Sequence, residues 1–293
     1  MKLIRNFKNT LIGILIVMAL TACQVPGQVP DAPVEITSTA VPTATRSPAA
    51  TPTPTEIETT TETWQAQVDA IKALTRNKRI PDSLFTGVTI EVEDMFDPNL
   101  LLQPLENLQL KPGYRLDFVY YYDGLSGLPY LYARQDTAKA VTTYDDYRAM
   151  CDQAGSGILC NPMNAILTDG TEASYFQWVL LHTMGQQFYL DWHASYNDQE
   201  IIASSATLSR IVNIYSDIQH GSSLTEEQQK QALAINPIPH VSIKESAVSV
   251  RVVTFTKWGG FYETVFTLTL EAPHRFISIE KTNLVPFDID IIF

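Results

Sequence analysis

His182 and His193 invite a metal-site reading, because imidazole nitrogen is a common metal ligand and Asp191 and Asp198 lie close by. The steps His182, Gln186, Tyr189, His193 would set both histidines on one stripe of a continuous helix. At 1.5 Å rise per residue that helix would hold them about 16 Å apart, whereas zinc takes its ligands at about 2 Å. A zinc site therefore requires the helix to break before Asp191. No His-Glu-x-x-His occurs, and His220, His240 and His274 are scattered. No metal is expected, and the histidines read as hydrogen-bonded structural residues. Asp288 and Asp290 flank Ile289 in an expected strand and would share one face. Such a pair suits a cation, but an exposed edge is the simpler assignment.

Other reactive patterns are weaker. Gly124-Leu125-Ser126-Gly127 lacks the Gly-x-Ser-x-Gly spacing that lifts a serine onto a strained strand-to-helix turn. Asp145-Asp146 resembles an acid/base pair, yet adjacent acids at a helix start answer its dipole. Gly259-Gly260 follows Trp258 at a hairpin tip, so it forms no phosphate cradle, and no cofactor is expected. Cys151 and Cys160 stand nine apart with Gly155 and Gly157 between them, spacing that suits a disulfide in an exported chain. Closing that loop would stabilise the fold by about 2.5–3 kcal/mol.

The aromatic clusters are the most suggestive feature. Tyr120, Tyr121 and Tyr122 lie across an expected hairpin from Tyr130 and Tyr132, and strand alternation sends some of these rings to each face. Rings left outside the core, beside Asp117 and Arg134, would form a stacking platform for a sugar or an extended peptide. Trp258, at the second hairpin tip, joins them as a candidate contact. A layer of helices over that face is the competing expectation.

The elements that must position these residues follow from periodicity. Trp64, Val68, Ile71 and Leu74 predict a helix through Arg76, stopped by Pro81. Val88, Ile90 and Val92 alternate as a strand; Pro98, Pro104 and Pro112 then give loops. Strands over 114–122 and 130–134 flank a loop from Asp123 to Pro129, and a short helix runs from Asp145 toward Met150. Apolar residues surround residues 171–193 on most sides, predicting an interior helix. Ile201-Ile202 is a short strand, Ser204 or Ser205 caps a helix, and Thr225 with Gln228 forms a capping box.

Val248–Trp258 and Phe261–Leu270 predict a hairpin about a two-residue Gly259-Gly260 turn. That register places Phe255 and Val253 beside Thr264 and Phe266, with one face for the core and one for water. Residues 277–279 and 284–293 are the last expected strands. The fold class is α+β: an antiparallel sheet packed with helices, in one globular domain over 63–293.

Composition bounds the partners. The 293 residues carry 20 basic and 32 acidic side chains, a formal charge of −12. An acidic chain argues against nucleic acid as a partner. The first 22 residues hold Lys2, Arg5 and Lys8 and no acid, followed by an apolar run from Leu11 to Leu20, the layout of a secretory signal peptide. That run is about half the length of a membrane span. Without this segment the formal charge is −15, since three basic residues and no acidic ones leave.

Leu20-Thr21-Ala22-Cys23 resembles the lipobox of bacterial lipoproteins. The resemblance covers residues 1–23 only. It implies cleavage before Cys23, acylation of its thiol, and a lipid bilayer as partner on the extracytoplasmic face, with outer and inner membrane both open. Two or three acyl chains anchor a protein stably without a spanning helix. Residues 23–62, rich in Pro and Thr, read as a disordered tether. The mature domain resembles no identified family. The expectation is a binding or interaction module for a glycan, peptide or envelope protein; the alternatives are a hydrolase of envelope or extracellular polymer and a purely structural envelope role.

Overall fold

The computed structural model describes residues 54–90, 93, 95–154 and 160–290. The expected signal peptide, Cys23 and most of the expected tether lie outside the described residues. The first helix, α1 (Pro54–Thr75), starts nine residues before the expected domain boundary and places Trp64, Val68 and Ile71 in the core. Val88 makes only an isolated antiparallel bridge to Thr143 and Ile90 is exposed, so no strand forms over the described residues 88–90; Glu91 and Val92 lie outside them.

The fold is α+β with antiparallel pairing throughout. One sheet carries β8 (Ala247–Thr256) at its centre, with β9 (Gly260–Thr269) and then β10 (Phe276–Pro286) on one side. Along the other side of β8 lie β6 (Glu200–Ile202) and β7 (His240–Ile243). A second sheet joins β2 (Tyr114–Tyr122), β3 (Ser126–Gln135) and the two-residue β5 (Asp191–Trp192). A third pairs β1 (Leu108–Leu110) with β4 (Ile166–Thr168).

Between the two larger sheets runs α3 (Glu172–Met184), whose Ser174–Leu181 residues are all buried. A helix apolar on every side can sit only in an interior. One side of it meets Val248, Val250 and Val252, another the hairpin residues Leu116, Phe118 and Leu131 within the same core, and Trp64 of α1 stacks on Phe176 at 4.8 Å. Thr171 caps its N-terminus by accepting from the Ser174 N–H.

The helix ends at Met184 instead of continuing to 193. Tyr189 takes φ +54°, Phe188 turns inward against Phe96 and Phe118, and the Tyr189 hydroxyl accepts from the Phe96 N–H at 2.9 Å. Long-range packing thus overrides a local period that continues through Leu190 and Trp192.

The C-terminal hairpin also differs from expectation. Its loop has three residues, Lys257-Trp258-Gly259, closed by Gly259 N–H donating to Thr256 O, and Gly260 pairs with Thr256 at φ +92°. Phe255 therefore faces Phe261, not Thr264. Both faces of this sheet are covered at β8. Val253 and Phe255 of the expected core face pack with Phe261, Val285 and Leu208, Ile211 and Val212 of α4 (Ser205–Ser216), while the face of Thr254, expected to meet water, carries Val248, Val250 and Val252 into the core around α3. Ser204 caps α4, and Thr225 with Gln228 makes the full capping box of α5 (Glu226–Leu233). β10 is one continuous strand through 280–283, where separate strands were expected.

Candidate functional site

The hairpin register divides the tyrosines. Tyr120 and Tyr122 share the face of Leu116 and Phe118, while Tyr121, Tyr130 and Tyr132 share that of Asp117 and Val119. Tyr120 is 1% exposed and donates its hydroxyl proton to Tyr189 O at 2.8 Å. Tyr132 is fully buried, its hydroxyl accepting from the Val141 N–H at 2.8 Å. Burial removes both from any open platform. Helix α2 (Tyr144–Ala154) covers the second face, setting Tyr144 4.7 Å from Tyr121 and 4.9 Å from Tyr130. Arg134 donates to Asp117 at 2.8 Å and to Ala138 O at 2.6 Å, so the expected polar rim is internally satisfied. Burial pushes the Tyr130 and Tyr132 phenols up to about 12, which keeps them protonated donors at neutral pH. Cys151, on α2, is bridged to Cys160 with a Cα–Cα distance of 5.5 Å.

Two clefts of about 400 Å³ each share His182 and Gln186 in their walls. The first is mostly apolar, with Leu131, Met163, Leu181 and Phe276 beside Tyr130 and Tyr147. The second holds Trp258, Tyr196, Tyr262, Lys281, Asn197 and Gln199. Among the described residues neither is lined by a carboxylate.

Trp258 ends a row of rings. It lies 4.5 Å from Tyr196; Tyr196 stacks on His193 at 5.9 Å, and His193 on Trp192 at 5.8 Å. Trp192 is 56% exposed and Tyr196 45%. Trp192 also sits at φ +41°, a backbone state costly for a bulky residue. It is held there by pairing with Ser126 of β3, after which a 3-10 turn, His193–Tyr196, lifts Tyr196 toward Trp258. The ammonium of Lys281 lies 4.0 Å from the Tyr262 ring centre, and that of Lys257 lies 4.7 Å from Trp258. Burial lowers the Lys281 pKa.

The remaining candidates disperse. His182 makes no hydrogen bond among the described residues and sits among Trp178, Phe266 and Phe276, so the expectation of a hydrogen-bonded histidine fails there. Burial lowers its pKa to about 4, leaving the imidazole neutral. His274 does have that role, held by Thr168 Oγ1 and Thr269 O at 3.0 Å each. Asp198 accepts from Thr256 Oγ1 at 2.5 Å and burial raises its pKa. Asp146 accepts from Thr143 Oγ1 at 2.7 Å at the start of α2. Asp288 and Asp290 are not in a strand: Asp290 takes φ +52° and accepts from Ser222 Oγ. Ser126 begins β3, and Asp123 accepts from the Leu125 and Ser126 N–H groups. Although the helix breaks before Asp191, no three His, Cys, Asp or Glu side chains gather in metal-binding proximity among the described residues.

Sequence reasoning missed Trp192, Tyr196, Gln186 and Gln199. Trp192 was absorbed into the apolar period of the long helix. The available signal was Gly185 followed by polar Gln186-Gln187, where a helix end is natural. No protein-family model, curated protein or solved structure matches the chain.

Proposed function

We propose that this protein is a lipid-anchored extracytoplasmic binding module that holds a glycan along the row Trp192, His193, Tyr196 and Trp258. The observation that carries the reading is that exposed row beside an amide-lined cleft. Sugar rings present C–H faces that pack on aromatic rings, while their hydroxyls need donors and acceptors at the rim. Asn197 supplies both from one amide, and Lys281 supplies a further donor.

The anchor reading rests on the lipobox-like Leu20-Thr21-Ala22-Cys23. Among the described residues no helix is long and apolar enough to cross a membrane, so the domain offers no competing span. The Pro/Thr-rich residues between Cys23 and α1 serve as the spacer, and the acidic charge of the chain disfavours its lying flat on anionic headgroups.

The hydrolase alternative needs an acid and a base in one cleft. Asp145, Asp191 and His193 line neither cleft, and Asp198 lines a further one of about 390 Å³ in which, among the described residues, no second carboxylate or histidine accompanies it.

The test is thermal melting of a chain spanning 24–293, which keeps the compact unit Thr51–Phe293 whole, against envelope and extracellular oligosaccharides and against peptides. Ligand at 100 times its Kd should stabilise the native state by about 2.7 kcal/mol. Stabilisation by one glycan class, lost in Trp258→Ala, supports the reading; stabilisation by peptides alone overturns it.

A further inference from the structure

The apolar cleft is separate chemistry from the aromatic row. Its volume of about 400 Å³ falls in the range of small-molecule sites, which are commonly apolar cavities with a few convergent polar groups. Leu131, Met163, Ile166, Leu181 and Phe276 supply its apolar surface, and no Asp, Glu, Lys or Arg lines it. A charged ligand would lose its hydration there without a counter-charge, so the lining selects a neutral one.

The polar groups are few and incompletely used. Neither ring nitrogen of His182 has a hydrogen-bond partner among the described residues. Gln186 accepts from the Leu131 N–H at 3.3 Å through Oε1, and its amide NH₂ has no protein partner among the described residues. A neutral imidazole offers one donor and one acceptor, and the amide a further donor. These two side chains stand together in one wall of the cleft, His182 from the last turn of α3 and Gln186 from the turn that follows it. One wall is fixed independently: Cys160 is tied to α2 by its disulfide, and the Asn161 side chain accepts from the Met163 N–H at 3.1 Å.

We infer that this cleft binds a small neutral amphipathic molecule, an alkyl or aryl body with one hydroxyl or amide end, whose body lies on Met163, Leu181 and Phe276 and whose polar end meets His182 and Gln186. The site does not depend on the glycan reading and would stand if that reading failed.

The probe is N-phenyl-1-naphthylamine, a neutral dye whose emission rises in apolar surroundings, added to the unacylated 24–293 chain so that no lipid competes. Saturable uptake of one dye per chain is expected, with displacement by 1-octanol at a concentration at least tenfold below that needed with octanoate. Met163→Trp, which fills the cavity, should weaken dye uptake at least tenfold, with far-ultraviolet circular dichroism confirming that the variant is folded. If that variant does not fold, the ratio of octanol to octanoate in the unaltered chain decides the matter. Absence of saturable uptake, equal displacement by octanol and octanoate, or full uptake by a folded Met163→Trp variant would overturn the inference.

Discussion

The Tyr196 ring packs 4.5 Å from Trp258 at an interplanar angle of 56°, joining the turn after β5 to the loop between β8 and β9. Two segments about sixty residues apart thereby present one surface. If that surface is the glycan site, Trp258→Ala and Tyr196→Ala should each weaken binding about tenfold, or about 1.4 kcal/mol. Because the rings touch, the double variant should lose less than the sum of the two. Calorimetric titration of the four proteins measures this coupling, and full additivity would argue against a shared platform.

His182 makes stability depend on pH in a defined window. Its pKa falls from 6.5 to about 4 on folding because burial disfavours the charged form. Between these values the unfolded chain binds a proton that the folded chain does not. Stability therefore falls as pH drops from 6.5 toward 4, by up to about 3 kcal/mol from this group. The melting-temperature difference between the native chain and His182→Gln should stay constant above pH 6.5 and shift against the native chain as pH falls from 6.5 to 4. Parallel curves would place the histidine in a solvated setting.

What the sequence made legible was mostly local. The capping box at Thr225 and Gln228 and the cap at Ser204 depend on neighbours a few residues away and formed where expected, while the first hairpin formed with its second strand starting at Ser126, inside the loop expected from Asp123 to Pro129. The site was less legible because distant contacts made it. Trp192 continues the apolar period of α3, and only the docking of Phe188 on Phe96 and Phe118 breaks that helix. Gly259-Gly260 suits a two-residue turn equally well. The observed three-residue loop shifts the register by an odd number, which changes which residues share a face. For the tyrosines, alternation separated the two faces correctly but could not show that Tyr144 and Tyr147 would cover one of them.

Glu200 ties α1 to β6. Its buried carboxylate accepts from Lys72 Nζ at 2.5 Å and Arg76 Nη1 at 3.0 Å, with Arg210 Nη2 at 3.6 Å. Loss of one partner from a buried pair costs about 3–5 kcal/mol. Here the cations keep some contact with water, their side chains being 18%, 29% and 50% exposed. Glu200→Gln should therefore cost less, about 2–3 kcal/mol in urea unfolding, while Arg210→Ala should change stability by less than about 1 kcal/mol. Equal effects would mean that the half-exposed arginine, not the buried contacts, holds the network.

Adjacent glycines in the Trp258 loop should separate stability from binding. A Cβ on Gly260 would lie 2.1 Å from Val285 O and 2.7 Å from Phe287 N, at φ +92°, so backbone would have to move. Gly260→Ala should lose at least about 2 kcal/mol. A Cβ on Gly259 instead meets the Tyr262 hydroxyl at 2.4 Å, the far end of a side chain that can swing away. That swing would carry the ring from beneath Lys281, within the second cleft. Gly259→Ala should thus keep its melting temperature within a few degrees of the native chain while losing affinity for the glycan that Trp258 binds. Paired melting and titration curves decide it, and a Gly259→Ala variant with unchanged affinity would remove Tyr262 and Lys281 from the binding surface.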